Sequence, residues 1–202
     1  MPFGAALITA LTVLAAPAAA VPASIANAQP LFVRLSEVAS SFCVDMLSGK
    51  VLLPATLDAE SALFDRYGLT AGIPDAGMKA LGTDVGLIAQ ATLASGQAAD
   101  GEFMVALGGR AGETCRIIVY HAPADGLFIK ATYVGMQVPR NGWRSLPAPV
   151  QPAGALKLSL LKRDSSHRPY LANLLAPVSV GPIAMVATIA AVPPQVTIPE
   201  GY

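Results

Sequence analysis

Residues 114–121 read TCRIIVYH, and this stretch decides the fold. Cys115, Ile117 and Val119 recur with the period of two that places side chains on one face of a β-strand. The β-branched residues of the stretch suit a pleated, half-buried surface. The pattern therefore predicts a strand over Thr114–His121, with Cys115 on its buried face. The same alternation places His121 on the core side, at the end of the strand.

The only other cysteine, Cys43, falls on the apolar stripe of a predicted helix. Apolar residues at helical spacing surround it, with Ser36 as the expected N-cap and Gly49 as the C-terminal stop. A helix that covers the cysteine-bearing face of the strand would bring the two sulfur atoms together. We therefore predict a Cys43–Cys115 disulfide between helix and sheet. The alternative is two separate buried thiols.

The rest of the chain predicts an α+β fold, with two N-terminal helices packed on a mainly antiparallel sheet. The second helix is expected from Thr56. Segment 127–136 suits a strand or a short helix, and the helix is favoured. The Gly- and Pro-rich stretches 69–86 and 140–154 are expected to be loops. The Gly-rich segment 108–112 is expected to form a hairpin loop. Further strands are expected at 87–94, 102–107, 155–161, 170–175 and 183–192.

The N-terminal region predicts export, because no residue from Met1 to Val33 carries a charged side chain. The apolar run 3–16 suits a signal-peptide core and is short for a membrane span. Small residues then follow at the spacing that signal peptidase reads. We predict a signal peptide over residues 1–28, cleaved after Ala28, with cleavage after Ala20 as the alternative. The absence of Lys and Arg before the apolar run leaves open an uncleaved anchor or a buried N-terminal helix.

Residues 29–202 are then expected to form a single exported domain, periplasmic or secreted, with no transmembrane segment. Thirteen basic residues balance thirteen acidic ones. A chain without net charge creates no overall field that would attract nucleic acid. Disordered chains combine low hydrophobicity with high net charge, whereas 53% of these residues are hydrophobic. The composition therefore indicates a folded domain that is not a nucleic-acid-binding protein.

The string Asp164-Ser165-Ser166-His167 contains the three residue types of a hydrolytic triad. Adjacent residues of a turn rarely converge as a triad requires, and Asp and Ser commonly hydrogen-bond the backbone of turns. No Gly-x-Ser-x-Gly nucleophile motif is present. We therefore predict a turn here, with no catalytic residue. Two cysteines and two isolated histidines form no recognisable zinc-binding pattern, so we also predict no metal site and no cofactor.

The candidate binding residues are basic or aromatic. Trp143 and Arg144 lie in a Gly- and Pro-rich loop, and Lys162, Arg163 and Arg168 form a basic tip around a predicted turn. Aromatic and cationic side chains on loops are typical anchors for ligands and partners. The alternatives are a tryptophan that pins its loop onto the sheet and charges that are simply solvated.

These observations predict an exported, non-catalytic binding protein or envelope accessory protein. One alternative is a small hydrolase using His121, for which Asp125 is the nearest acid in sequence. It requires His121 to line a cleft beside a carboxylate. Another alternative is a carrier of a small apolar ligand, which requires an enclosed apolar pocket of several hundred cubic ångströms.

Overall fold

The computed structural model describes residues 23–108, 113–147, 150–179 and 181–198. Most of the predicted signal peptide, and residues 109–112 of the predicted hairpin loop, lie outside the described residues. The helices are α1 (Ala23–Asn27), α2 (Leu31–Ser40), α3 (Phe42–Ser48), α4 (Leu57–Asp65), α5 (Asp75–Leu81) and α6 (Leu127–Gln137), with a short 3-10 helix at Val85–Leu87. The strands are β1 (Thr70–Ala71), β2 (Thr92–Ala98), β3 (Gly101–Gly108), β4 (Thr114–His121), β5 (Arg144–Ser145), β6 (Ala155–Arg163), β7 (Pro169–Pro177) and β8 (Met185–Ala191).

The strands form one eight-stranded sheet in the order β1-β2-β3-β4-β8-β7-β6-β5. Every neighbouring pair is antiparallel, so the predicted α+β fold with an antiparallel sheet is confirmed. The edge strands β1 and β5 have two residues each, and short edges limit pairing with other chains. Beyond β5, the Gln151 side-chain amide donates to the Lys157 carbonyl (3.0 Å) and accepts from its N–H (2.8 Å), which caps the edge of β6.

One face of the sheet, which we call the inner face, packs against α2, α3 and α6. Its strand residues are apolar at every second position, because only one side of each strand points into this core. Leu31 and Leu35 of α2 and Phe42 of α3 fill the space above the sheet. The inner-face residues include Phe103, Val105, Cys115, Ile117, Val119, Leu160, Tyr170, Ala172, Leu174, Met185, Ala187 and Ile189.

The first predicted helix is two helices in the structure. α2 begins at Leu31, before the predicted N-cap Ser36, so that N-cap assignment was wrong. Ser36 is buried inside α2, and its hydroxyl lies 2.7 Å from the carbonyl of Phe32 and 3.2 Å from that of Thr132 in α6, so its single proton is shared between the two acceptors. The polar side chain that resembles a cap therefore ties two helices together. The break between α2 and α3 falls at Ser41.

The predicted disulfide is present. Cys43 on α3 and Cys115 on β4 are bonded, with Cα atoms 5.5 Å apart. Both cysteines are 0% exposed, so the bridge lies inside the core between helix and sheet. α3 is followed by Gly49, as predicted, which caps the helix in a left-handed conformation with φ of 74° that favours glycine.

The opposite face, the outer face, is covered in part by α5. Leu81 of α5 packs with Met104 and Ile118 of the sheet. Gly77 allows this close approach, because an added Cβ would lie 3.2 Å from the Met104 side chain. The prediction of a loop over 69–86 was wrong for α5. The strand expected from residue 87 begins later, at Thr92, because 85–87 form the 3-10 helix.

The other predicted elements agree with the structure in type. Segment 127–136 is helical, within α6, and the second predicted helix is α4, with Thr56 at its N-cap position. The predicted loop at 140–154 contains the short strand β5. Within the described residues, no helix has the length and apolar composition needed to cross a bilayer.

The predicted orientation of His121 was wrong. Phe103 of β3 pairs with Val119, but Glu102 pairs with His121, so Tyr120 is an extra residue in β4. Such a β-bulge breaks the alternation of the strand. His121 is therefore exposed and lies beside Glu102 and Tyr120 in a cleft on the outer face.

The disulfide generates a stability prediction. Replacing both Cys43 and Cys115 with Ser should lower the free energy of unfolding by about 4 kcal/mol, because the bridge closes a loop with a sequence separation of 72. The melting temperature should fall by about 10 °C. Reductant should lower the wild-type melting temperature to that of the double variant and leave the variant unchanged. Equal melting temperatures of oxidised wild type and double variant would contradict a stabilising bridge.

Candidate functional site

The five predicted binding residues do not form one site. Trp143 and Arg144 are consecutive around the start of β5, and Lys162 and Arg163 are consecutive at the end of β6. Successive side chains of a strand point to opposite faces. Trp143 and Lys162 therefore lie on the inner side, and Arg144 and Arg163 on the outer face. Arg168, in the turn after β6, reaches the inner side separately.

On the inner side, Trp143 and Lys162 meet Ser40, at the end of α2. The Trp143 Nε1–H donates to the Ser40 hydroxyl (2.9 Å), and the Lys162 Nζ donates to the Ser40 carbonyl (2.9 Å). The Lys162 ammonium lies 6.0 Å from the centre of the indole, within cation–π distance. Burial lowers the pKa of Lys162. We call these three residues the Ser40 latch, which fixes the ends of β5 and β6 to the helices.

Trp143 is 2% exposed, so its indole is not available as a surface anchor. The alternative that it pins its loop is the arrangement observed. Sequence reasoning missed Ser40, since no motif marks a serine that ends a helix as the partner of a residue more than a hundred positions away.

Arg168 also supports a helix. Its Nη1 donates to the carbonyl of Leu47 near the end of α3 (3.4 Å), and its guanidinium lies 5.8 Å from the centre of the Tyr170 ring. A cation at the C-terminal end of a helix stabilises the exposed carbonyls. Arg168 further lines a groove of about 1020 Å³ together with Glu113. The groove contains both charges, so it is not the enclosed apolar pocket that a carrier requires.

On the outer face, Arg144 and Arg163 line one pocket of about 200 Å³ with Gly142 and Leu161. Arg144 pairs across the strands with Leu161, and Arg163 follows Leu161 by two positions on the same face. The backbone positions of diagonal neighbours of this kind are roughly 7–8 Å apart, so two long arginine side chains can reach the same space. We call this site the arginine pocket. It brings together two of the five predicted residues.

The string 164–167 forms a turn, as predicted. The Asp164 Oδ1 accepts from the backbone N–H of Ser166 (2.8 Å) and of Arg168 (2.9 Å), and its Oδ2 accepts from the Tyr170 hydroxyl (3.0 Å). Although desolvation opposes it, these hydrogen bonds lower the pKa of Asp164. All of these hydrogen bonds stabilise the turn, in which His167 has a left-handed φ of 61°.

His121 lines a second outer-face site, the His121 cleft, of about 460 Å³. Its polar residues are Lys79 of α5, Glu102 of β3, and Tyr120 and His121 of β4, with Ala76, Ala80 and Pro182 as apolar walls. The carboxylate beside His121 is therefore Glu102. Asp125, the nearest acid in sequence, accepts from the backbone N–H of Leu127 instead (3.0 Å). No serine, threonine or cysteine lines the cleft among the described residues, so His121 has no partner there for a Ser–His or Cys–His hydrolytic pair.

Sequence reasoning missed Glu102 and Lys79. The alternation of β3 could have placed Glu102 opposite the core, but its meeting with His121 depends on the bulge. Among the described residues, no three His, Cys, Asp or Glu side chains converge as a set of metal ligands. No protein-family model, curated protein or solved structure matches the chain.

The Ser40 latch generates a prediction on stability. Trp143→Phe keeps an aromatic ring but removes the N–H that donates to Ser40, and Ser40→Ala removes the acceptor. Each change should destabilise the fold, and a double-mutant cycle should give a coupling energy of about 1 kcal/mol. Urea unfolding followed by circular dichroism measures these energies. Ser41→Ala is the matched control, because the Ser41 hydroxyl bonds only to the exposed Glu37 carbonyl; additive effects of Trp143→Phe and Ser40→Ala would contradict the latch.

Proposed function

We propose that this chain is an exported, non-catalytic binding protein whose ligand carries an oxyanion held in the arginine pocket. The observation that carries the proposal is the placement of Arg144 and Arg163 on the walls of one outer-face pocket. Guanidinium groups bind phosphate and carboxylate oxygens through paired hydrogen bonds, and they stay charged at any physiological pH. Each guanidinium has five N–H donors, and one of those of Arg163, on Nη1, donates to the carbonyl of His167 within the chain (3.3 Å).

The composition of the pocket supports binding rather than catalysis. Its described lining consists of two arginines, one leucine and one glycine. None of these side chains accepts or releases a proton near neutral pH, and none is a nucleophile. Leu161 is only 4% exposed, so it forms the closed floor between the two cations and leaves little apolar surface for a ligand. The anionic group of the ligand is therefore the part that the pocket is expected to recognise.

The proposed export rests on the uncharged N-terminal run and is in keeping with the disulfide, since disulfides form in oxidising compartments. The packing of α1 bears on the cleavage site. Ala26 of α1 is 0% exposed and lies against Gly68, where an added Cβ would come within 2.7 Å of the Ala26 Cβ. Cleavage after Ala20 keeps this contact in the mature protein, and cleavage after Ala28 removes it.

Oxyanion binding is tested by calorimetric titration of the mature protein with inorganic phosphate, octyl phosphate and phosphatidylglycerol vesicles. We expect octyl phosphate and inorganic phosphate to bind with similar affinity, because the buried Leu161 leaves little apolar surface for the alkyl chain. Binding to vesicles but not to octyl phosphate would show a membrane surface as the source of the anion. The double change Arg144→Gln and Arg163→Gln should weaken binding at least about tenfold, since a hydrogen bond to a charged group contributes about 1.5–3 kcal/mol.

Arg66→Gln is the control for this titration, because Arg66 is an exposed arginine beyond the end of α4. It should bind all three probes as the wild type does. Trp143, the only tryptophan, neighbours Arg144 and gives a second readout through its fluorescence. Unchanged affinity in the Arg144→Gln, Arg163→Gln variant, or no binding by the wild type, would refute the proposal.

Export predicts a processed N-terminus. Protein recovered from outside the cytoplasm should begin at Gln29, or at Val21 if the alternative site is used, as read by N-terminal sequencing. Because Ala26 packs on Gly68, a form that begins at Val21 should melt at a higher temperature than one that begins at Gln29. Recovery of intact Met1 in the membrane fraction would instead show an uncleaved anchor.

A further inference from the structure

The His121 cleft presents opposite charges to one open space. Lys79 approaches from α5, and Glu102 lies across from it on β3. Neither Lys79 nor His121 forms an ion pair or side-chain hydrogen bond with any residue in the described part of the chain. The cation and the carboxylate therefore both face the cleft without neutralising each other through a direct ion pair.

This charge pattern selects against simple ions. A plain anion that approached Lys79 would also meet the negative charge of Glu102, and a plain cation on Glu102 would meet Lys79. Lys79 and His121 are exposed, so each attraction or repulsion is weaker here than in a buried site, but a simple ion still loses on one partner what it gains on the other. A ligand that carries both charges gains from both partners.

We propose that the His121 cleft binds a small zwitterion, with its ammonium group on Glu102 and its carboxylate on Lys79 and His121. The imidazole of His121 offers an N–H donor to the carboxylate, and the ammonium group replaces water around Glu102. The alkyl part of the ligand lies on Ala76, Ala80 and Pro182.

Two features hold the cleft in shape. The bulge in β4 places Tyr120 and His121 on the same face of the sheet. Glu102, the partner of His121 on the neighbouring strand β3, lies on that face too. Burial and the Glu102 carboxylate raise the pKa of Tyr120 to about 12, so its phenol stays protonated and orients Glu102. Gly77 brings α5 close to this wall, since an added Cβ would lie 3.3 Å from the Tyr120 ring. A volume of about 460 Å³ accommodates a free amino acid or a dipeptide.

The spacing between the two charges is tested with a series of ω-amino acids: glycine, β-alanine, 4-aminobutanoate and 6-aminohexanoate. The readout is the ring NMR signal of His121, one of two histidines in the chain. His167→Asn assigns the signals, because Asn tolerates the left-handed φ at that position. We expect a saturable shift of the His121 signal that is strongest at one chain length. Butylamine and butanoate should bind at least about tenfold more weakly, because each makes only one charged contact.

Variants decide whether the two charges act as proposed. Lys79→Met and Glu102→Gln should each weaken binding of the best ω-amino acid at least about tenfold. Lys130→Met, on the exposed surface of α6, is the control and should bind as the wild type does. Circular dichroism verifies that each variant is folded. Binding of butanoate or butylamine as tightly as the zwitterion, full affinity in either cleft variant, or no shift of His121 with any probe would overturn the proposal.

Discussion

The Cys43–Cys115 bridge is the constraint on which the rest of the arrangement depends. It fixes α3 to β4, near the middle of the sheet, and both cysteines are fully buried. The other half of the sheet is tied to the last residue of α2 and to the C-terminal part of α3. Lys162 donates to the carbonyl of Ser40 just before α3, and Arg168 donates to that of Leu47 near its end. A seven-residue helix thus connects β4 with the β6–β7 hairpin.

The latch on the inner side and the arginine pocket on the outer side share their backbone. Each pocket arginine directly follows a latch residue, so the Trp143 and Lys162 contacts to Ser40 also fix the strand ends that carry Arg144 and Arg163. A binding site gains affinity when its groups are held in place before the ligand arrives. In the proposed function, Trp143 and Lys162 therefore contribute by holding Arg144 and Arg163 in position rather than by contact with the ligand.

The sequence predicts those parts of the fold that depend on local pattern. Alternation defines β4, helical spacing defines the cysteine face of α3, and together they predict the disulfide. Two features depend instead on non-local register or packing. The bulge at Tyr120 arises from the pairing of β3 with β4, which no residue of β4 reveals alone. Lys162 and Arg163 are adjacent and equally charged, and alternation places them on opposite faces of β6. Only the position of the helices decides that Lys162 is the half-buried one and Arg163 the exposed one.

The two candidate sites both lie on the outer face because the inner face is filled by the core. Along that face the arginine pocket belongs to β5 and β6, and the His121 cleft belongs to β3 and β4. β8 and β7 separate β4 from β6, which at a strand spacing of about 4.8 Å places them roughly 14 Å apart. A single small ligand cannot reach both sites. The two sites are connected only through the backbone of β7 and β8. Coupling between sites requires an element with two alternative arrangements, and a hydrogen-bonded sheet offers one, so we expect the two sites to bind their ligands independently.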